Sequence, residues 1–399
     1  MKKKKKQWTK TRHRVICELI RPVMWLYCKW KYGIKVERFR DQADRAYLIL
    51  YNHQTAFDQF FVGMAFREPV YYVASEDLFS NGWVSSLIRW LVAPIPIKKQ
   101  TTDITAVMNC IKVAREGATI AIAPEGNRTY SGKTGYMSDA IAPLARKLGL
   151  PIALYRIEGG YGVQPRWSDV VRKGKMRGYV SRVIEPEEYA DLTNEELFSL
   201  IEKGLYVDEG MADGIFRSTK RAEYLERAMY VCPWCGLSEF ESHGSRLTCK
   251  TCKRTVEYGA DKRLVGVGFD FPYAFVTQWY TQQEKFVSGL DLSAYTEEPM
   301  YRDTARLSEV IIYKRKQCLC KNADICLYGD RITVGERVFA FDEINAITVL
   351  GRNKLNIYHD KHVYQLKGGK RFNALKYVNI CFHYKNTHKT EGASAFLGL

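Results

Sequence analysis

The chain has 399 residues, enough for two or three domains, and its 46% hydrophobic and 26% charged residues are ordinary for a globular protein. Its net charge is +17, but residues 1–40 contain fourteen Lys or Arg against two Glu and so carry +12 of that charge. The basic charge is local, which argues against a general nucleic-acid-binding surface, and nucleic acid is not an expected partner.

A basic amphipathic helix is predicted within residues 1–35. One helical face between residues 13 and 32 carries the apolar side chains Ile16, Leu19, Ile20, Val23, Leu26, Tyr27 and Trp30. Lys and Arg occupy the other faces, and Trp8 and Trp25 lie in the same segment. Such a helix suits an anionic membrane surface, where each Lys or Arg contributes about 1 kcal/mol. The other interpretation is a solvated helix that docks on the core behind a basic tail.

Two features indicate a peripheral protein on the cytosolic face of a membrane. Charged residues and Pro22 interrupt the apolar stretch, so neither a secretory signal nor a membrane-spanning helix is predicted. The eleven cysteines follow no small disulfide-rich pattern, which indicates reduced thiols in the cytosol.

An α/β domain is predicted for residues 36–225. Strand and helix patterns alternate from Ala46 to about Ile184, which is typical of a largely parallel sheet flanked by helices. Residues 46–51 and 119–123 are continuous apolar runs, and we expect them to form buried strands.

A His–Asp pair follows the first of these strands. His53 lies just past residues 46–51, where a helical pattern begins, and Asp58 lies about one turn into that helix. Because helical side chains lean toward the N-terminus, Asp58 can reach the His53 ring, fix its tautomer and support an imidazolium. A general base that removes a proton from a hydroxyl needs this arrangement, although a purely structural pair would show the same spacing.

A second polar group follows residues 119–123. Glu125, Gly126 and Arg128 lie past the carboxyl end of that strand, where open α/β sheets bind their ligands. Gly126 permits close backbone approach, Glu125 can accept a hydrogen bond from a substrate hydroxyl, and Arg128 offers a planar fork for phosphate. Lys98 and Lys99 follow the apolar residues 91–97, and we expect them to add positive charge at the same edge. An ordinary turn and solvated lysines are the alternative interpretations.

These motifs, in this order, resemble those of the glycerophospholipid acyltransferases. Residues 53–58 resemble the family's H-x4-D motif, and residues 124–128 (Pro-Glu-Gly-Asn-Arg) resemble its P-E-G-T-R motif. Residues 93–99 and 150–152 resemble two further motifs of the family. The resemblance covers about residues 30–210.

The resemblance implies an activity. His53, oriented by Asp58, would deprotonate an acceptor hydroxyl, which attacks an acyl thioester on CoA or acyl carrier protein without a covalent acyl-enzyme. Glu125 and Gly126 would position the glycerol part of a lysophospholipid substrate.

The resemblance also implies a phosphate site. Arg128 and Lys99 would bind the phosphate of the acceptor, expected to be 1-acylglycerol-3-phosphate, which would be converted to phosphatidic acid. Lys99 stands where the family usually has Arg, so it keeps the charge and loses the bidentate fork. Another lysolipid or a lipid amine therefore stays open as the acceptor.

Two C-x2-C pairs predict a zinc ribbon at residues 226–268. Cys232, Cys235, Cys249 and Cys252 can supply four thiolates in tetrahedral geometry. Unpaired buried thiols and redox disulfides are the alternatives. A structural zinc is favoured, since no open coordination position is evident, over a ribbon that binds a partner or nucleic acid.

The rest of the chain is predicted in three parts. Residues 269–312 are predicted as a helical connector. Residues 313–385 show short strands, hairpin turns and one final helix, a pattern that resembles a small, β-rich pleckstrin-homology or GRAM-like domain. Residues 386–399 are predicted as a disordered tail. A non-catalytic lipid-binding scaffold with a partner-binding ribbon is the alternative from a different class of protein.

Overall fold

The chain divides into two compact units. The computed structural model describes residues 7–41, 44–97, 103–311, 314 and 316–388. Of these described residues, those within 7–163 and 173–209, together with residue 314, belong to the α/β unit, and those within 164–172, 210–311 and 316–388 belong to the C-terminal unit.

The α/β unit alternates strands with helices along the chain. Its helices are α1 (Thr11–Tyr32), α2 (Asp58–Ala65), α3 (Trp83–Val92), α4 (Ile104–Arg115), α5 (Ile141–Leu148), α6 (Gly160–Val163), α7 (Pro186–Tyr189) and α8 (Asn194–Leu205). Its strands are β1 (Ile34–Val36), β2 (Leu48–Tyr51), β3 (Val70–Ser75), β4 (Ile95–Ile97), β5 (Thr119–Ile122), β6 (Ile152–Glu158) and β7 (Met176–Ile184).

These strands form one sheet in the order β1-β7-β6-β2-β5-β3-β4. All neighbours are parallel except β6 and β7, which confirms the predicted largely parallel α/β fold. Every residue of β2 is buried, because β2 lies in the middle of the sheet with helices on both faces. The two polar motifs follow β2 and β5, which are direct neighbours.

Local signals explain where the helices begin and end. Asp103 caps α4 by accepting a hydrogen bond from the Ala106 N–H at 3.1 Å. Gly149 ends α5 in the left-handed conformation, with φ of 62°, which a residue without a side chain adopts readily.

Helix α1 turns its apolar face away from the α/β unit. It packs through the buried side chains of His13, Cys28 and Tyr32. The opposite side carries exposed apolar residues at helical spacing, namely Val15, Leu19, Val23, Leu26 and Trp30. Trp8, in the segment predicted to suit a membrane surface, instead packs on the α/β unit, and its indole N–H donates to the Ala93 carbonyl at 2.9 Å.

In its described residues, the C-terminal unit contains two large antiparallel sheets and a third sheet of only two strands. Its strands are β8 (Val231–Cys232), β9 (Gly236–Leu237), β10 (Phe240–His243), β11 (Arg246–Cys249), β12 (Thr255–Tyr258), β13 (Leu264–Gly266), β14 (Tyr301–Glu309), β15 (Gln317–Leu327), β16 (Arg331–Val334), β17 (Arg337–Ala340), β18 (Ile344–Leu350), β19 (Lys354–His359) and β20 (His362–Gly368). Its helices are α9 (Val276–Ser288) and α10 (Leu375–Thr387). The first sheet has the order β10-β11-β12-β13, and the second has the order β17-β16-β15-β14-β20-β19-β18. Strands β8 and β9 pair separately.

The predicted connector, residues 269–312, is only partly helical. It contains α9, but its last part is the strand β14, which lies in the middle of the seven-stranded sheet. Tyr301, Ala305 and Leu307 are buried on alternate positions of this strand. Charged residues lie between them, so the apolar pattern is too sparse to show a central strand before its partners are known.

Candidate active site and metal centre

The His53 imidazole lies past the carboxyl end of β2, and its Nδ1 is 2.8 Å from Asp58 Oδ2. With Asp58 accepting from Nδ1–H, the lone pair of the neutral ring is on Nε2, the nitrogen that takes up a proton. The His53 side chain is 23% exposed, whereas Asp58 is fully buried. The ring is therefore reachable by a substrate while its carboxylate partner is shielded from water.

Asp58 is held by its own loop. Its two oxygens accept hydrogen bonds from the Gln54 and Thr55 backbone N–H groups and from the Thr55 hydroxyl, at 2.7–3.0 Å. Asp58 is also the first residue of α2, where the helix dipole favours a negative charge. The chain turn between β2 and α2 thus fixes a buried carboxylate directly beside the imidazole.

Glu125 joins the two motifs. Its Oε1 accepts from the His53 backbone N–H at 2.8 Å, and its Oε2 accepts from the Gly135 N–H at 3.0 Å. The residue is 2% exposed, and this burial raises the pKa of its carboxyl to about 7. Glu125 therefore holds the backbone on which the imidazole is carried, a role that the motif alone did not indicate.

The other residues of the second motif lie in the turn after Glu125. Gly126 is exposed and has φ of 63°, so any side chain at this position would strain the turn. Arg128 follows it and is half-buried. Lys99, the other predicted phosphate ligand, lies outside the residues that the structure describes.

Residues 34–157, which contain both motifs, match the model of a protein family described as Acyltransferase. These residues form an acyltransferase-family domain. The predicted resemblance to the glycerophospholipid acyltransferases and the expected enzymatic class, an acyltransferase, are confirmed.

Three curated proteins that are similar to the chain are named 1-acyl-sn-glycerol-3-phosphate acyltransferase. A 1-acyl-sn-glycerol-3-phosphate acyltransferase of Bacillus subtilis (strain 168) is 24% identical over 178 residues, which are 43% of this chain and 84% of the relative. A chloroplastic enzyme of the same name from Brassica napus is 22% identical, and the match covers 36% of this chain and 42% of the relative. The corresponding chloroplastic enzyme of Arabidopsis thaliana is 21% identical, with coverage of 41% and 47%. The chain thus spans under half the length of the two plant relatives.

Among solved structures, the acyltransferase is similar to PlsC, the 1-acyl-sn-glycerophosphate acyltransferase of Thermotoga maritima. The identity is 21%, the TM-score is 0.42, and the match covers 48% of this chain and 78% of that one.

Asn52 also supports the site and could not be assigned a role from the sequence. Its buried amide donates to the Ile157 carbonyl at 2.9 Å and accepts from the Ile157 N–H at 2.8 Å. Through these two hydrogen bonds the Asn52 side chain pairs with the backbone of β6 and fixes the end of β2 just before His53. Only the position of Asn52 next to His53 hinted at importance, because Ile157 is 105 residues away.

The four cysteines of the predicted ribbon converge in the C-terminal unit of the acyltransferase. The Sγ atoms of Cys232, Cys235, Cys249 and Cys252 all lie within 4.8 Å of one another, and Cys232 and Cys252 are 3.8 Å apart. Zinc bound tetrahedrally to thiolates at about 2.3 Å separates neighbouring sulfurs by about 3.8 Å. The cluster therefore has the dimensions and the donor atoms of a closed zinc site.

Proposed function

We propose that this acyltransferase moves a fatty acyl group from a thioester, on CoA or acyl carrier protein, to the hydroxyl of a lysophospholipid. The acceptor we favour is 1-acylglycerol-3-phosphate, with phosphatidic acid as product. The observation that carries the proposal is the 2.8 Å contact between His53 Nδ1 and the buried Asp58 carboxylate at the mouth of the sheet. The names of the curated relatives support this choice of acceptor.

The reaction needs one base and no covalent acyl-enzyme. His53 Nε2 accepts the proton of the acceptor hydroxyl as its oxygen attacks the thioester carbonyl. Asp58 stabilises the imidazolium that forms. The carbon–sulfur bond then breaks, the ester is released, and the leaving thiolate takes the proton from the imidazolium. Every proton removed from the acceptor is thus returned to the thiol.

We place the acceptor phosphate beside the turn that follows Glu125. The half-buried Arg128 offers a planar guanidinium, and Lys99 supplies the second charge. Glu125 and Gly126 would position the glycerol part of the acceptor, and Glu125 also holds the His53 backbone, since its Oε1 accepts the His53 N–H.

We further propose that the α/β unit sits on an anionic membrane surface. The outward side of α1 is apolar, and α3, which packs against α1, adds exposed Trp83, Leu87 and Trp90. The Arg12 guanidinium lies 5.1 Å from the Trp90 ring, so the apolar surface is bordered by positive charge. No helix in the described ranges is long and apolar enough to cross a bilayer. A lipid surface would deliver the lysophospholipid and receive the product.

The cysteine cluster, in this proposal, holds a structural Zn²⁺. Four thiolates close the coordination sphere, so the ion would stabilise the ribbon and leave no position for a substrate.

The function is tested by acyl transfer with purified full-length protein and lipid vesicles. Labelled acyl-CoA and acyl carrier protein are offered separately, each with lysophosphatidic acid, lysophosphatidylcholine and lysophosphatidylethanolamine as acceptors. We expect product with lysophosphatidic acid. If only another acceptor gives product, that lysolipid is the substrate and the phosphate-site assignment is wrong. If no combination of donor and acceptor gives product, the proposed activity is contradicted.

A further inference from the structure

A second basic site lies in the α/β unit, where the end of α1 meets β1 and α2. It is a cavity of about 480 Å³ that is widely open to solvent. Its lining includes the two apolar side chains Trp25 and Met64 and the four charged side chains Lys35, Glu37, Arg38 and Arg40. None of these residues belongs to the two acyltransferase motifs.

The cavity has an excess of positive charge. Glu37 is bound by Arg177, with Nε 2.7 Å from Oε1, and this guanidinium lowers the pKa of Glu37, so its negative charge is already neutralised. Within the described residues, no carboxylate forms an ion pair with Lys35, Arg38 or Arg40. Three cations therefore face a space large enough for a phosphate and its glycerol substituents.

The position of Trp25 connects this cavity to the apolar side of α1. Trp25 is 41% exposed, and the Lys29 ammonium lies 5.0 Å from the centre of its ring. Leu26, the next residue, is 64% exposed on the apolar side of the same helix. Tryptophan prefers the boundary between lipid tails and headgroups, so a membrane that covers Leu26 would bring its headgroups to the height of the cavity.

We propose that this cavity binds the phosphate group of an anionic phospholipid of the membrane, as a headgroup site separate from the catalytic one. Lys35, Arg38 and Arg40 supply the charge, and Trp25 and Met64 line the side next to the acyl chains. The proposal rests on the membrane attachment proposed above. A bound headgroup would fix how the α/β unit is rotated on the surface, and not only how tightly it is held.

The test compares two double variants that remove the same charge. Arg38→Gln/Arg40→Gln changes the cavity, and Lys147→Gln/Lys203→Gln changes exposed lysines on α5 and α8. Binding is measured by co-sedimentation with phosphatidylcholine vesicles that contain phosphatidylglycerol, or oleate at equal negative surface charge. We expect the cavity variant to bind phosphatidylglycerol vesicles at least about tenfold more weakly than wild type, because it removes two of the three cations that line the cavity.

The control variant should bind as wild type does, and the loss in the cavity variant should be smaller on oleate vesicles. Equal losses on both vesicles, or in both variants, would show general surface attraction and overturn the headgroup site. Titration with soluble glycerol 3-phosphate separates the two sources of a phosphate: tight binding that depends on Arg38 and Arg40 would assign the cavity to a free metabolite instead.

Failure of the headgroup site can be distinguished from failure of the proposed acyl-transfer activity. Transfer to a short-chain, monomeric lysolipid without vesicles should be equal in wild type and the cavity variant. Absence of transfer in wild type would count against the activity alone. Wild type that binds no vesicle would overturn the membrane attachment and the headgroup site with it.

Discussion

The His53 site and the cysteine cluster are both formed by short loops next to strands, but different forces hold their polar groups together. Asp58 is compensated by the protein itself, through the Gln54 and Thr55 N–H groups, the Thr55 hydroxyl and the His53 ring. Four sulfur atoms within 4.8 Å of one another would repel as thiolates unless a cation lies between them. The comparison indicates that the fold itself preorganises the proposed catalytic site, whereas the proposed metal would organise the ribbon.

Removal of the metal should have the largest effect. Chelation, or Cys249→Ser, should abolish the cooperative unfolding transition of the C-terminal unit, because zinc binding supplies about 10 kcal/mol or more in small zinc domains. Zinc content and calorimetry would measure this, with exposed Cys318→Ser as the control. If the protein binds about one zinc per chain but unfolds in the same way after chelation, the metal does not hold the C-terminal unit together, and the contrast between the two sites is wrong.

Asp58→Asn should affect catalysis without unfolding the α/β unit. The amide cannot support an imidazolium and favours the wrong ring tautomer, so we expect kcat to fall by about 10²–10⁴. Exposed Asp191→Asn is the matched control, and circular dichroism reports the fold. A rate within a few-fold of wild type would mean that the pair is structural.

Loss of apolar side chains from α1 should weaken membrane binding. Trp30 is 81% exposed and Leu26 is 64% exposed, so Trp30→Ser/Leu26→Ser should leave the fold intact. We expect vesicle partitioning to fall by about tenfold or more, because each side chain contributes about 1.5–3 kcal/mol when buried in lipid. Ile104→Ser/Met108→Ser, on the exposed side of α4, is the control, and equal losses in the two variants would contradict the orientation.

The smallest predicted effect is a contribution of Glu125 to the free energy of unfolding that depends on pH. The pKa of its carboxyl is about 7 in the folded protein against an ordinary 4.5, so folding favours the protonated form. The associated stability is complete below about pH 4.5 and is lost as the pH rises through about 7. Glu125→Gln removes this titration.

Urea unfolding at about pH 5 and about pH 8 measures the effect. The free energy of unfolding of wild type, measured relative to that of Glu125→Gln, should be lower at about pH 8 than at about pH 5. A difference that is independent of pH would show that Glu125 titrates normally.

Much of the α/β unit was predictable, because its signals are local. The apolar runs at residues 46–51 and 119–123 indicated buried strands, and parallel neighbours end at the same edge. The cysteine spacing likewise predicted a cluster before any fold was known.

The features that could not be predicted depend on partners distant in sequence. Asn52 acquires its role from Ile157, and Glu125 acquires its role from the backbone of His53, 72 residues away. The outward orientation of α1 also depends on distant partners. Its sequence shows an apolar face, but only the packing of His13 and Tyr32 shows which side faces the α/β unit. Strand β14 was missed because its pairing with β15 and β20 decides its conformation.

The central claim is that His53 is the base for acyl transfer, and one measurement tests it most directly. Initial rates of transfer to lysophosphatidic acid are compared for wild type, His53→Ala and His243→Ala, whose imidazole is exposed in the C-terminal unit. We predict a loss of about 10²-fold or more for His53→Ala and an unchanged rate for His243→Ala. A folded His53→Ala protein that transfers acyl groups at the wild-type rate would contradict the account.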